Sequence, residues 1–239
     1  AWWLNMFLIT NVWGLIYLVL YPGLGSFSGT LGWTSKGQYE AEMAQAAESY
    51  GPLYARYAAT DLESLAKDPD AMRTAERLYA SYCATCHGSD ARGAVGFPNL
   101  RDGDWLWGGE PAIIKQTIAN GRFAVMPAWG VPLGGDEGVA DVAEYVISLS
   151  GREVDAARLE SGRQKFSMFC GGCHGPTGTG NPIMGAPNLT DATWLYGGSR
   201  GVIRKSIASG RNGRMPAHGE FLGDDKVHLL AAYVLSLAK

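Results

Sequence analysis

Two stretches of this chain say nearly the same thing: "YCATCHGSDARG" (Tyr82–Gly93) returns as "FCGGCHGPTGTG" (Phe169–Gly180). The echo extends well beyond them. "PNLRDGDWLWGG" (Pro98–Gly109) returns as "PNLTDATWLYGG" (Pro187–Gly198), and "NGRFAVMPAWG" (Asn120–Gly130) as "SGRNGRMPAHG" (Ser209–Gly219). "VAEYVISL" (Val142–Leu149) returns as "LAAYVLSL" (Leu230–Leu237), and the offset holds at 87–89 residues throughout. A fixed period over this length means two copies of one small unit. Each copy is about 85 residues, a size at which a hydrophobic core alone is marginal. Something besides side chains is therefore expected to complete each core.

The four cysteines, Cys83, Cys86, Cys170 and Cys173, all fall in the echoed motif. Two CxxC pairs suggest a zinc site, a redox dithiol or a haem attachment. Zinc ribbons separate their pairs by roughly 15–20 residues, whereas Cys86 and Cys170 are 84 positions apart. No strand-like alternation surrounds either pair, as a thioredoxin-type dithiol would require. The directly following histidines, His87 and His174, point to c-type haem. There the two thiols form thioethers with the porphyrin and the adjacent imidazole binds the iron. Two covalently attached haem c groups are expected, and each porphyrin would serve as much of its unit's core.

Haem iron takes a sixth ligand or stays open for chemistry. Met126, in "VMPAW", and Met215, in "RMPAH", stand at equivalent repeat positions in Pro-flanked segments. Both are expected to ligate iron. The remaining methionines have no methionine counterpart in the other repeat. His/Met ligation closes both faces of the iron and suits electron transfer better than peroxide or oxygen binding. Proximity along the chain favours ligation within each repeat. His218, whose counterpart is Trp129, reads as a surface histidine, and His228 as a half-buried helix residue. Trp105, Trp107, Trp194 and Tyr196 are expected to pack the haem edges.

Elsewhere the patterns are helical. "AWWLNMFLITNVWGLIYLVLY" (Ala1–Tyr21) holds no charged residue, and the first Lys or Arg is Lys36. About twenty apolar residues rise about 30 Å as a helix, the thickness of a bilayer core. Trp2, Trp3, Tyr17 and Tyr21 resemble interfacial anchors. A signal peptide would open with positive charge and end in small residues, so a membrane span is the reading. Asn5, Thr10 and Asn11 make one face suited to meeting another helix. Residues 22–35 are a Gly/Ser-rich connector, and Lys36–Lys67 reads as short helices. Asp68-Pro69 marks a helix start, and Asp224-Asp225 is expected to cap the last helix. Met72, Ala75, Tyr79 and Tyr82 form one helical stripe, matched by Leu159, Gly162, Phe166 and Phe169. The helices carrying Tyr145 and Tyr233 are expected to cross these stripes at the small residues Ala75 and Gly162. With a formal net charge of −3 and no basic stripe, nucleic-acid binding is excluded.

The helix, CxxCH, PNL loop, distal Met and closing YVxSL helix resemble class I cytochromes c. The fold class expected is mainly α, with one N-terminal transmembrane helix followed by two tandem class I cytochrome c domains. The bounds are 1–21 for the span, 22–68 for a periplasmic linker, and 69–151 and 152–239 for the two domains. With the anchor "WWLNMFLITNVWGLIYLVLYPGLG", the linker "YGPLYARYA" and "GDDKVHLLAAYVLSL", the whole chain is similar to the di-haem subunit of cbb3-type cytochrome c oxidases, the CcoP or FixP family. Members carry further N-terminal residues, so the chain looks truncated at that end. The resemblance implies a bacterial cytoplasmic-membrane subunit with its bulk in the periplasm, where c haems are attached. Electrons would come from a periplasmic cytochrome c or the bc1 complex. They would pass to a mono-haem cytochrome c subunit and then to a haem–copper subunit that reduces oxygen and pumps protons. The resemblance further implies that the axial methionines are exchanged, Met126 serving the second motif and Met215 the first. A di-haem cytochrome c peroxidase and a free-standing anchored carrier are the competing readings.

Overall fold

The fold was analysed in a computed structural model that describes residues 1–23 and 25–238. The chain divides into two compact units, Ala1–Ala55 and Arg56–Lys239. In the first, helix α1 (Trp2–Leu20) has no buried residue and a mean hydropathy of 1.7, long and apolar enough to cross a membrane. Its 19 residues rise about 29 Å at 1.5 Å each. Thr10 Oγ1 and Asn11 Nδ2 donate back to the Phe7 carbonyl at 2.9 and 2.7 Å. These two donors are therefore satisfied within the helix. At the other end the chain folds back: the Thr30 and Leu31 amides donate to the carbonyls of Val19 and Leu20 at 2.9 and 3.1 Å. These bonds satisfy acceptors that a helix end leaves open. Gly29 permits the return, having φ +76° and no room for a Cβ, which would lie 2.5 Å from the Leu20 oxygen.

The short helices expected over Lys36–Lys67 are instead one long helix, α2 (Ser35–Ala58), and one short one, α3 (Leu62–Leu65). The run of Ala, Glu, Gln and Met favours helix strongly enough that Pro52 is carried inside it. The last turn of α2 belongs to the second unit, where Tyr57 is buried. Asp61 caps α3 by accepting the Ser64 amide at 2.9 Å.

Helices α4 (Pro69–Tyr82), α5 (Ala84–His87) and α6 (Pro111–Asn120) are followed by strand β1 (Arg122–Met126) and helix α7 (Asp136–Leu149). The series then repeats as α8 (Ala156–Phe169), α9 (Gly171–His174), α10 (Arg200–Ser209) and β2 (Arg211–Met215). It ends in α11 (Gly219–Leu222) and α12 (Asp224–Leu237). As expected, Asp68 caps α4 through the amides of Asp70 and Ala71 at 2.8 and 3.2 Å, with Pro69 in the first turn. The buried stripe of α4 is Ala71, Ala75 and Tyr79, and Tyr82 lies exposed against Phe221. Asp224 and Asp225 do not cap α12. That position is Gly223, at φ +85°, and the two carboxylates occupy the first turn, where the helix dipole favours them.

The packing does not follow chain order. Helix α7, which closes the first repeat in sequence, packs on α8 and α10 of the second. Helix α12, which closes the second, packs on α4 and α6 of the first and on α3 just before it. Two apolar clusters result, each built from both repeats. One joins Val142, Val146 and Ile147 to Phe166, Ile203 and Ile207, and the other joins Tyr79, Ile114 and Ile118 to Val227, Leu230 and Val234.

The α7 side of this arrangement is also ionic. Asp141 accepts from Arg158, Ser161 and Lys165 at 2.8–2.9 Å. Glu144, buried to 6% exposure, accepts from Arg200 at 2.6 and 3.0 Å and from the Asp155 amide at 3.0 Å. The Arg200 guanidinium holds the Glu144 carboxyl below its usual range. Burial would raise Asp141, but the bonds from Lys165, Ser161 and Arg158 outweigh it and the net shift is downward. An acid whose folded pKa is depressed adds stability above its unfolded value, about 4, and loses it as pH falls through the folded value. The thermal midpoint should therefore fall steeply as pH is lowered from about 5, and a D141N/E144Q variant, less stable at neutral pH, should show a flatter profile.

Candidate functional site

Each CxxCH sits where one helix hands over to a single turn of the next. Cys83 ends α4, its amide donating to Tyr79 O at 2.8 Å, and its carbonyl accepts from His87 N at 2.9 Å. Cys170 and His174 repeat the pattern at 2.8 and 3.0 Å. Cys170 is buried and Cys83 half-buried, while Cys86 and Cys173 are exposed. In each pair, then, one sulfur faces the apolar cluster and one faces its rim. Burial pushes the free Cys83 and Cys170 thiols up to about 11, so before attachment they are protonated at neutral pH.

Both histidines are buried, at 9% and 8% exposure. His87 Nδ1 meets the Pro98 carbonyl at 2.9 Å, and His174 Nδ1 meets that of Pro187 at 3.0 Å. A carbonyl only accepts, so Nδ1 carries the proton and Nε2 keeps its lone pair. Burial depresses both imidazole pKa values, which keeps the rings neutral and able to bind metal. The "PNL" motifs thus orient the rings through backbone, a role that the sequence reading left unassigned.

Strands β1 and β2 pair antiparallel, with Arg122 opposite Met215 and Met126 opposite Arg211. Burial alternates along both, so Arg122, Ala124 and Met126 face inward with Arg211, Gly213 and Met215. Met126 packs on the cluster that contains Cys170, Ile203 and Ile207, whereas Met215 packs on the one with Cys83, Ile114 and Ile118. Each methionine thus packs on the cluster that holds the other repeat's buried or half-buried cysteine. The two stand four rungs apart on the ribbon, roughly 14 Å at ~3.4 Å per residue.

Backbone bonds fix this crossing. The Trp129 and Gly130 amides donate to the carbonyls of Ile207 and Ala208 at 3.0 and 3.1 Å, and His218 N donates to Ile118 O at 3.0 Å. Each "MPA" loop is thereby tied to the end of the other repeat's helix. Gly121 and Gly210 make the approach possible: φ is +69° and +72°, and a Cβ would lie 2.4 Å from the oxygens of Met215 and Met126. His218 turns its Nδ1 to Pro216 O at 2.9 Å, and His228 Nε2 donates to Thr60 O at 2.8 Å, pinning α12.

Of the four aromatic residues, Trp105 and Trp194 pack on the two clusters. Trp107 and Tyr196 do something else: each lies under an arginine. Arg122 Nε donates to Thr117 Oγ1 at 2.9 Å, with its guanidinium 4.8 Å from the Trp107 ring centre. Arg211 does the same with Ser206 at 2.9 Å and Tyr196 at 4.3 Å. These arginines escaped the sequence reading, although their shared place in "NGR" and "SGR" was a usable signal.

The donor chemistry suits a porphyrin. Two thiols one turn apart can hold its edge, and a neutral imidazole with a free Nε2 can bind its iron. An apolar wall can accept its faces, and a neutral thioether stands in the same cluster. Substituting Gly210→Ala should lower the unfolding free energy, measured by chemical denaturation, by about 1–3 kcal/mol, because a carbonyl cannot move aside as a side chain can. The open-space control Gly103→Ala should stay within about 0.5 kcal/mol.

Comparison with known proteins agrees with this architecture. Residues 70–146 and 157–234 match the family described as cytochrome c oxidase, cbb3-type, subunit III. Residues 1–28 match the N-terminal domain of cytochrome oxidase-cbb3, FixP. The chain is similar to the cbb3-type cytochrome c oxidase subunit CcoP of Rubrivivax gelatinosus, 48% identical over 238 residues, covering 100% of this chain and 78% of the relative. It is 38% identical over 253 residues to subunit FixP of Azorhizobium caulinodans, covering 99% and 86%. CcoP of Cereibacter sphaeroides is 36% identical over 254 residues, covering 99% and 88%. An apolar N-terminal helix and two CxxCH repeats, matched over these spans, mean that the chain belongs to the cbb3-type cytochrome c oxidase subunit III family.

Proposed function

We propose that this chain is the di-haem, electron-receiving subunit of a cbb3-type terminal oxidase. Helix α1 anchors it in the bacterial cytoplasmic membrane, and the bulk of the chain stands in the periplasm. Its donor is a periplasmic cytochrome c or the bc1 complex. Its acceptor is a mono-haem cytochrome c subunit, beyond which a haem–copper subunit reduces oxygen.

The two cytochrome c-type repeats carry covalently bound haem c, which supplies reversible one-electron chemistry. Cys83 with Cys86, and Cys170 with Cys173, hold the two groups by thioethers. His87 and Met215 ligate the first iron, and His174 and Met126 the second. Arg122 and Arg211, which have no carboxylate oxygen within 4.0 Å among the described residues, offer their guanidinium groups to the haem carboxylates. Among the chain's own groups, the two proline carbonyls fix each imidazole's tautomer, burial keeps it neutral, and the apolar clusters keep water from the metal. Such closed sites differ little between oxidation states and so favour electron exchange over peroxide chemistry.

The observation that supports this reading is the ribbon, whose two methionines pack on different apolar clusters, one holding Cys170 and one holding Cys83. It favours carrier over peroxidase, since a peroxidase needs an iron with an open or displaceable face. Purification from detergent checks the partners: the chain should bring protohaem and copper with it. Arriving alone with both c haems intact would make it a free-standing carrier. Strong carbon monoxide binding at one reduced haem would instead support the peroxidase reading.

Ligand exchange has its own test. In a chain that keeps only the first attachment site (C170A/C173A), Met215→Ala should abolish the thioether-to-iron charge-transfer band of the ferric haem. Met126→Ala should leave it in place. The reverse pattern would mean that each repeat ligates its own iron.

A further inference from the structure

The two repeats present nearly equal surfaces, yet α7 docks on α8 and not on α4, the equivalent helix of its own repeat. Two independent features of the surfaces explain the choice. The first is steric. Helix α7 crosses α8 so closely that a Cβ on Gly162 would lie 2.1 Å from the Asp141 carbonyl oxygen and 2.8 Å from Tyr145 Cβ. The equivalent residue of α4 is Ala75, which is fully buried. Docked on α4 in the same way, α7 would drive its backbone into that methyl group.

The second feature is charge. Helix α7 carries Asp136, Glu137, Asp141 and Glu144 and no Lys or Arg. On the second repeat it meets cations: Arg158 with Glu137 and Asp141 at 2.8 and 2.9 Å, Lys165 with Asp141 at 2.9 Å, and Arg200 with Glu144 at 2.6 Å. At the equivalent places the first repeat has Ala71, Leu78 and Pro111. Docking there would leave the buried Glu144 and half-buried Asp141 carboxylates without these cations, a costly state. The complementary substitution is present too. Where α7 has Asp141 and Glu144, α12 has Leu229 and Ala232, both fully buried in the first repeat's half.

We infer that Gly162 and the Asp141 and Glu144 carboxylates are positioning residues, which direct α7 to the second repeat and thereby set Met126 against His174. The role given to Met126 rests on the exchanged ligation proposed above, whereas the helix pairing does not. Small size at position 162 admits α7 to α8, and the methyl of Ala75 excludes it from α4. The carboxylates hold it where cations wait.

The test uses the full-length chain with both haems, in detergent, and two readouts. A zero-length carbodiimide joins a carboxylate to an amine in direct contact. The Asp141–Lys165 pair reports α7 on α8, and the Lys115–Asp224 pair, at 2.9 Å, reports α12 on α6. The ferric thioether band counts methionine-ligated irons. In Gly162→Ala the Asp141–Lys165 product should fall at least tenfold and the band should drop from two haem equivalents towards one. The Lys115–Asp224 product should persist, showing that the first half still stands.

The paired variant D141L/E144A, which gives α7 the residues of α12, should likewise lose one equivalent of the band and keep the Lys115–Asp224 product. Retention of both the Asp141–Lys165 product and the full band in Gly162→Ala would overturn the inference. So would loss of that product with the band still at two equivalents, because Met126 would then not need α7. A wild-type chain with the Asp141–Lys165 product but no band would refute the ligand assignment and leave the helix pairing intact.

Discussion

The second unit is organised by a single short ribbon, Arg122–Met126 against Arg211–Met215. Antiparallel pairing sets the strands head to tail, so whatever ends one strand lies beside whatever begins the other. Because each strand begins with Arg and ends with Met, every arginine has the other repeat's methionine as its neighbour. The arginine stays with its own repeat, bonded to Thr117 or Ser206. The methionine leaves it. The segments beyond it, the "MPA" loops and helices α7 and α12, lie with the methionine in the opposite half.

That crossing explains how units of about 85 residues build adequate cores. Neither repeat is asked to fold on its own. Each half contains an N-terminal helix, a CxxCH turn and a middle helix from one repeat, closed by a helix from the other. The two closures are chemically different: α12 meets its partners largely through Val227, Leu230 and Val234, while α7 adds the Asp141 and Glu144 networks. The pseudosymmetry of the sequence is thus broken where it matters for pairing.

The local features of this protein were plain in its sequence. The cysteines, the paired histidines, the repeated methionines, the Asp68 cap and the uncharged first helix each rest on near neighbours, and local chemistry determines them. What proximity along the chain did not show is that each closing helix packs on the other repeat. Two nearly identical surfaces give the same periodic signal, and the choice between them lies in single residues such as Gly162 against Ala75. The same limit explains α12, whose first turn looked like a cap because Asp224 precedes the apolar run. In fact Asp224 reaches across to Lys115, 109 residues away in the chain.

Interleaving also has a consequence in time. Met126 precedes His174, in the half whose cluster it packs on, by 48 positions, but Met215 follows His87 by 128. During synthesis the first CxxCH therefore leaves the ribosome long before its closing strand and helix exist. That half must wait as an open cradle until helix α12 is made. Loop closure over such a span is slow, and exposed apolar surface is prone to stray association meanwhile. The second half, by contrast, finds its closing pieces already made when its own turn appears. The order of completion is therefore the reverse of the order of synthesis: the half begun first is the last to close.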